Sequence, residues 1–156
     1  MKKVVALLLL AFLALELGLL AAVRGKDIMY VGGTVAAIAE KTKGKLNLDE
    51  NAYVFTDKKG SPMLTIPYNK IESLEYGQKA GRRVGVALTV SPLFLFSKKR
   101  KHYITIGFVD EVGKKQGAVF ELAKGIVKET LSTVEQKSGK QVEYESEEAK
   151  KHAEKQ

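Results

Sequence analysis

The sequence predicts a mainly β domain closed by one C-terminal α-helix. Three observations carry that reading. Between Tyr30 and Phe120, short segments rich in Val, Ile, Tyr, Phe and Thr are separated by turn residues about every six to ten positions. The apolar spacing then lengthens to a helical period, with Leu122, Ile126, Val127, Leu131 and Val134 forming one stripe. Gly139 follows, where a helix C-terminus favours glycine. The 156 residues suit one domain, with enough apolar content for a packed core.

The elements follow in order. Tyr30-Val31-Gly32-Gly33 opens the domain, and Thr34 to Glu40 is short, apolar and tolerant of β structure. Lys43-Gly44 breaks that run, and Lys45 to Asp49 alternates as a strand does. Asp49-Glu50-Asn51 signals a turn before the aromatic and β-branched strand Ala52 to Thr56. The loop Asp57 to Pro62 leads to a strand at Met63 to Ile66, and Pro67 separates it from a turn and strand over Tyr68 to Tyr76. His102 to Val109 is the clearest strand, with Tyr103, Thr105 and Gly107 on one face and Ile104, Ile106 and Phe108 on the other. Asp110 to Gly117 is a turn region, and Ala118-Val119-Phe120 is the last strand. The helical stripe begins at Leu122 and runs about four turns. Residues 143 to 156 hold five Glu and three Lys with almost no large apolar side chain, and are expected to be a charged, disordered tail.

The first 25 residues read as an address. Met1-Lys2-Lys3 is basic, and Val4 to Val23 is apolar except for Glu16. Small residues follow at Ala21 and Ala22, as before a secretory cleavage site, with cleavage expected near Ala22 or Gly25. A run of about 20 residues is also long enough to be retained as an N-terminal membrane anchor, although a central carboxylate is costly there. Both readings take the domain across an inner membrane, to a periplasmic or secreted location.

Composition narrows the chemistry. The chain has no Cys, which removes disulfides, thiolate catalysis and cysteine metal sites. Its two histidines, His102 and His152, are far apart, so no zinc ligand set is indicated and no metal or cofactor is expected. His102 has no Ser or Cys nucleophile in a recognisable arrangement, and Asp110 gives it no triad spacing. Glu72 and Glu75 read as surface charge. Asp49-Glu50-Asn51 and Asp57 fall short of a calcium loop's ligand density, and the glycines match no phosphate loop. The expectation is a protein that is not an enzyme.

The layout of about seven strands and a final helix resembles the pleckstrin-homology-like superfold, and in particular bacterial PH-like and GRAM-like domains. Ile66-Pro67-Tyr68-Asn69-Lys70-Ile71-Glu72-Ser73-Leu74 resembles their strand-turn-strand element. His102 to Ile106, and Gly117 to Leu122 followed by the helix to Gly139, are similar as well. The resemblance covers roughly residues 28 to 142. It implies a curved antiparallel sheet, or partly open barrel, of about seven strands capped by the helix. It also implies a non-catalytic module, since members bind phosphoinositides, peptides or proteins. The basic motif of eukaryotic lipid binders is missing from Thr34 to Asp49, so phosphoinositide specificity is not carried over. Fold alone does not assign function.

One stretch stands apart. Residues 81 to 102 place Arg82 and Arg83, then an uncharged run from Val84 to Ser97, then Lys98, Lys99, Arg100 and Lys101. No acidic residue occurs between Glu75 and Asp110. The positive character after residue 25 is therefore local to this stretch. Phe94, Leu95 and Phe96 between basic clusters suit an anionic membrane surface, apolar side chains entering the headgroup boundary and cations meeting the lipid charge. A protein partner could use the same patch. Interior packing is the ordinary expectation for such a run, as apolar runs are usually buried. Nucleic acid is not expected, because the chain reads as exported and aromatics for base stacking are scarce among the charges.

Overall fold

A computed structural model of the chain describes residues 24–78 and 101–155. Eight strands form one sheet: β1 Arg24–Gly33, β2 Thr42–Leu48, β3 Ala52–Thr56, β4 Pro62–Pro67, β5 Ile71–Gly77, β6 His102–Val109, β7 Lys115–Leu122 and β8 Val142–Tyr144. A 3-10 turn at Tyr68–Lys70 joins β4 to β5. Two helices complete the described residues, α1 at Val127–Ser138 and α2 at Glu147–Glu154.

The sheet order is β4-β3-β2-β1-β7-β6-β5-β8. Two antiparallel meanders meet where β1 pairs with β7, and β8 adds to β5 in parallel. This order forces curvature. Laid flat, β4 and β5 would stand six strand spacings apart, about 29 Å. The four residue steps from Pro67 to Ile71 span at most about 14 Å. The sheet must therefore curl until its distant strands approach. At that closure α1 packs against the 3-10 turn and β2. Lys137 of α1 donates to the carbonyls of Asp49 (2.8 Å) and Glu50 (3.1 Å), with its ammonium 5.3 Å from the Tyr68 ring centre.

The concave face holds the core. Strand alternation sends Ile28 and Tyr30, Ile104 and Ile106, and Ala118 and Phe120 inward. Phe120 is central: its ring lies 5.1 Å from Tyr53, 5.3 Å from Phe55 and 5.6 Å from Tyr30. These tilted and edge-on arrangements are the favourable ones for aromatic pairs. Val127, Thr130, Leu131 and Val134 of α1 close the core.

The mainly β architecture is as expected, and β3 and β6 have the expected bounds. The rest differs in ways that have physical reasons. Thr34 to Glu40 is not a strand but a loop that tucks Ile38 under the domain. β2 begins at Thr42, so Lys43 and Gly44 lie inside it and not ahead of it, and a Cβ at Gly44 would overlap the Thr56 carbonyl oxygen and the Phe55 ring. Leu122 ends β7 instead of starting the helix; the chain turns at Lys124-Gly125, and α1 begins at Val127. Among the described residues there are two helices, not one. The segment from 143 reads in sequence as a solvated tail, at most transiently helical, yet it contributes to β8 and forms the packed helix α2 as far as Glu154. Ser146 caps α2 by accepting from the Ala149 N–H at 3.1 Å, and Glu147 and Glu148 complement the first turn. Ala149 and Ala153, four residues apart, bury one face of it.

Candidate binding surface

The convex face of the sheet carries a second, smaller apolar cluster. Val31, Tyr103 and Val119 are at most 2 % exposed, and Met29 packs beside them. They come together because β1, β7 and β6 are neighbours and these residues occupy the face opposite the core. Burial, and secondarily the charge of Glu121, pushes the Tyr103 phenol up to about 12. Its hydroxyl is buried with no hydrogen-bond partner among the described residues.

Next to this cluster lies a cleft of about 590 Å³ lined by Asp27, Met29, Lys43, Lys58, Lys101 and Glu121. The strand register assembles it: Met29 pairs with Lys43 on one side and Glu121 on the other, and Tyr103 pairs with Glu121. Lys101 donates to the Glu121 carboxylate at 2.8 Å. Both side chains are largely buried, at 33 % and 22 % exposed, so this pair is screened less than a surface pair would be. Lys43 and Lys58 are exposed.

Among the residues of the basic-apolar-basic stretch, Lys101 is therefore fixed at this cleft. Arg82, Arg83, Phe94, Leu95, Phe96, Lys98, Lys99 and Arg100 lie outside the described residues, as does the address at residues 4 to 23. The stretch connects β5 to β6, two paired strands, leaving after Gln78 and returning at Lys101. No helix among the described residues is long and apolar enough to cross a membrane.

The acidic residues weighed as a cation site are not brought together. Asp49, Glu50 and Asn51 sit at one end of β3 and Asp57 at the other. Asp57 accepts from the N–H groups of Lys59 and Ser61, both at 2.8 Å, and so shapes the hairpin loop. Asp49 lies 3.4 Å from Arg24, and Glu72 pairs with Lys115 at 3.3 Å. Among the described residues, no three His, Asp or Glu side chains converge as a metal site would require. Asp110 is the acceptor of the β6–β7 loop. Gln116 Nε2 and the N–H groups of Lys114 and Val112 hold its carboxyl below the usual range, the Gln116 bond first.

His102 has a partner that sequence reasoning missed. Its Nδ1 lies 2.6 Å from the Tyr76 hydroxyl, and the two rings stack at 19°. The signal is the β5–β6 pairing itself, which sets Tyr76 opposite Ile104, two residues from His102. Burial first, then His152 and Lys124, pushes this imidazole below its ordinary value, against Glu121, which raises it.

No protein-family model matches the chain, and no curated protein matches it.

Proposed function

We propose that this chain is a non-catalytic binding module of the cell envelope with a pleckstrin-homology-like arrangement. It meets an anionic membrane surface through the basic-apolar-basic stretch between Arg82 and Lys101. The observation that carries the reading is the position of Lys101. This last residue of the basic cluster is held by Glu121 at an open cleft that also presents Lys43 and Lys58. The stretch thus returns to the sheet on a face that already offers positive charge, and each cation near an anionic bilayer contributes about 1 kcal/mol. The curled sheet, with α1 against the turn between β4 and β5, is the feature that supports a pleckstrin-homology-like reading. On this reading β8 and α2 are additions to that arrangement. Export by residues 1 to 25 brings the module to the outer face of an inner membrane, cleaved free or retained as an anchor.

A second reading is a protein-interaction or scaffold domain using the same patch or the groove between helix and sheet. The partly exposed Met29 at the cleft, packed beside the buried Val31, Tyr103 and Val119, favours it. Co-sedimentation with vesicles at low and high salt separates the two. The first reading predicts salt-sensitive binding to anionic vesicles alone. The second predicts equal and weak recovery with anionic and neutral vesicles.

A further inference from the structure

The C-terminal element meets the sheet at Tyr76 and His102. β8 follows β5 for three residue pairs, Leu74 with Val142, Glu75 with Glu143 and Tyr76 with Tyr144. The Tyr144 ring stands edge-on to Tyr76 at 6.0 Å. Beyond it, the Glu145 N–H donates to the Tyr76 carbonyl, and the Glu145 carboxylate accepts from the Gln78 N–H, both at 2.9 Å. The seat of α2 is thin. It buries Ala149 and Ala153, whereas α1 buries Val127, Thr130, Leu131 and Val134.

We propose that this corner is an acid-sensitive clasp: protonation of His102 loosens β8 and α2 and uncovers the β5 edge for pairing with another strand. The groups facing His102 come from four directions. Tyr76 reaches it from β5, Glu121 from β7, Lys124 from the loop after β7, and His152 from α2. Tyr144 of β8 stands on Tyr76, with Lys150 Nζ 6.0 Å from the Tyr144 ring. Among the described residues acting on the imidazole, Glu121 alone favours the cation, and Lys101 already engages it at 2.8 Å.

The proton balance explains the release. Burial and the neighbouring Tyr144 push the Tyr76 phenol up to about 12, so its O–H stays protonated beside His102 Nδ1. Once protonated, Nδ1 can only donate, so the Tyr76 oxygen is left to accept and its own proton must find another acceptor in this buried corner. The imidazolium also faces His152 and Lys124, both of which disfavour its charge. Undocking α2 carries His152 away from His102 and relieves this. Because folding lowers the His102 pKa from 6.5, the clasp is fully present above 6.5 and is lost as the pH falls from there through the depressed value. A released β5 edge presents unpaired N–H and C=O groups, which is a template for another strand.

Hydrogen exchange of the full chain at about pH 7.5 and about pH 5, corrected for intrinsic rates, tests this. The amides of Glu145, Ala149 and Lys150, bonded within this corner, should lose protection at the lower pH. Ile106 and Val119, in the central ladder, should keep theirs. His102→Gln keeps an acceptor for Tyr76 but cannot titrate, and should abolish the loss. His152→Gln leaves the Tyr76 bond in place and should reduce it. Equal protection at both pH values, a loss shared by Ile106 and Val119, or a full loss in both variants overturns the clasp. Should His102→Gln not fold, the His102 pKa measured by NMR decides, a value at or above 6.5 overturning it. The clasp and the membrane reading stand or fall separately, since these measurements use no lipid.

Discussion

The Lys101 ammonium lies 2.8 Å from the Glu121 carboxylate, joining the last basic residue of the charged stretch to the middle of the sheet. Glu121 faces Met29 on β1 and Tyr103 on β6, so the pair bridges β6 and β7 beside an apolar cluster. Glu121→Gln leaves Lys101 half-buried without its counter-charge. The expected loss is about 1 kcal/mol, between the value of an exposed pair and that of a fully buried one. Urea denaturation of the variant at two salt concentrations measures it; no change would mean that the pair is solvated.

Gly44 has no substitute. A Cβ at this position meets the Thr56 carbonyl oxygen and the Phe55 ring, and both belong to the β2–β3 pairing. Phe55 also packs on Phe120, so displacing it disturbs the centre of the core. Gly44→Ala should destabilise by about 3 kcal/mol, at the upper end of the overpacking range. Thermal unfolding followed by circular dichroism reads this directly. A shift of a degree or less would show that β2 and β3 separate freely.

The phenols should resist base. Burial is the first cause for each of Tyr68, Tyr76 and Tyr103, and each is pushed up to about 12 from 10.0. A folded-state pKa above the unfolded value means that stability is fully present below pH 10 and is lost as pH rises toward 12. Absorbance near 295 nm should therefore show little tyrosinate at pH 10, then a cooperative rise as the protein unfolds. Simple titration centred at 10 would contradict the burial of these side chains.

Some of this fold is legible in the sequence because local and tertiary preferences coincide. Ala52 to Thr56 and His102 to Val109 are β-branched and aromatic, and each is paired on both sides in the sheet. Where they conflict, local pattern misleads. Gly44 looks like a breaker but is demanded by a ring packed across the strand. Leu122 suits both the helical stripe and the inward face of β7, and its pairing with Ile28 and His102 decides. The C-terminal residues look solvated because α2 seats only two methyl groups, and β8 gains its strand from an edge that no local pattern announces. For the site, the charge pattern points to Lys101, but Glu121 and Lys43 come from distant strands and Lys58 from the β3–β4 loop. Only the β1–β7 junction brings them there.

Membrane contact is the central claim, and vesicle co-sedimentation of the chain from Arg24 onward tests it most directly. A triple reversal of Lys98, Lys99 and Arg100 to Glu is the decisive variant. It spares Lys101, which the fold uses against Glu121. At about 1 kcal/mol for each lost cation, partitioning onto anionic vesicles should fall by about two decades, and high salt should weaken the parent protein in the same direction. Equal recovery with anionic and neutral vesicles, or an affinity unchanged by the reversal, would contradict the account.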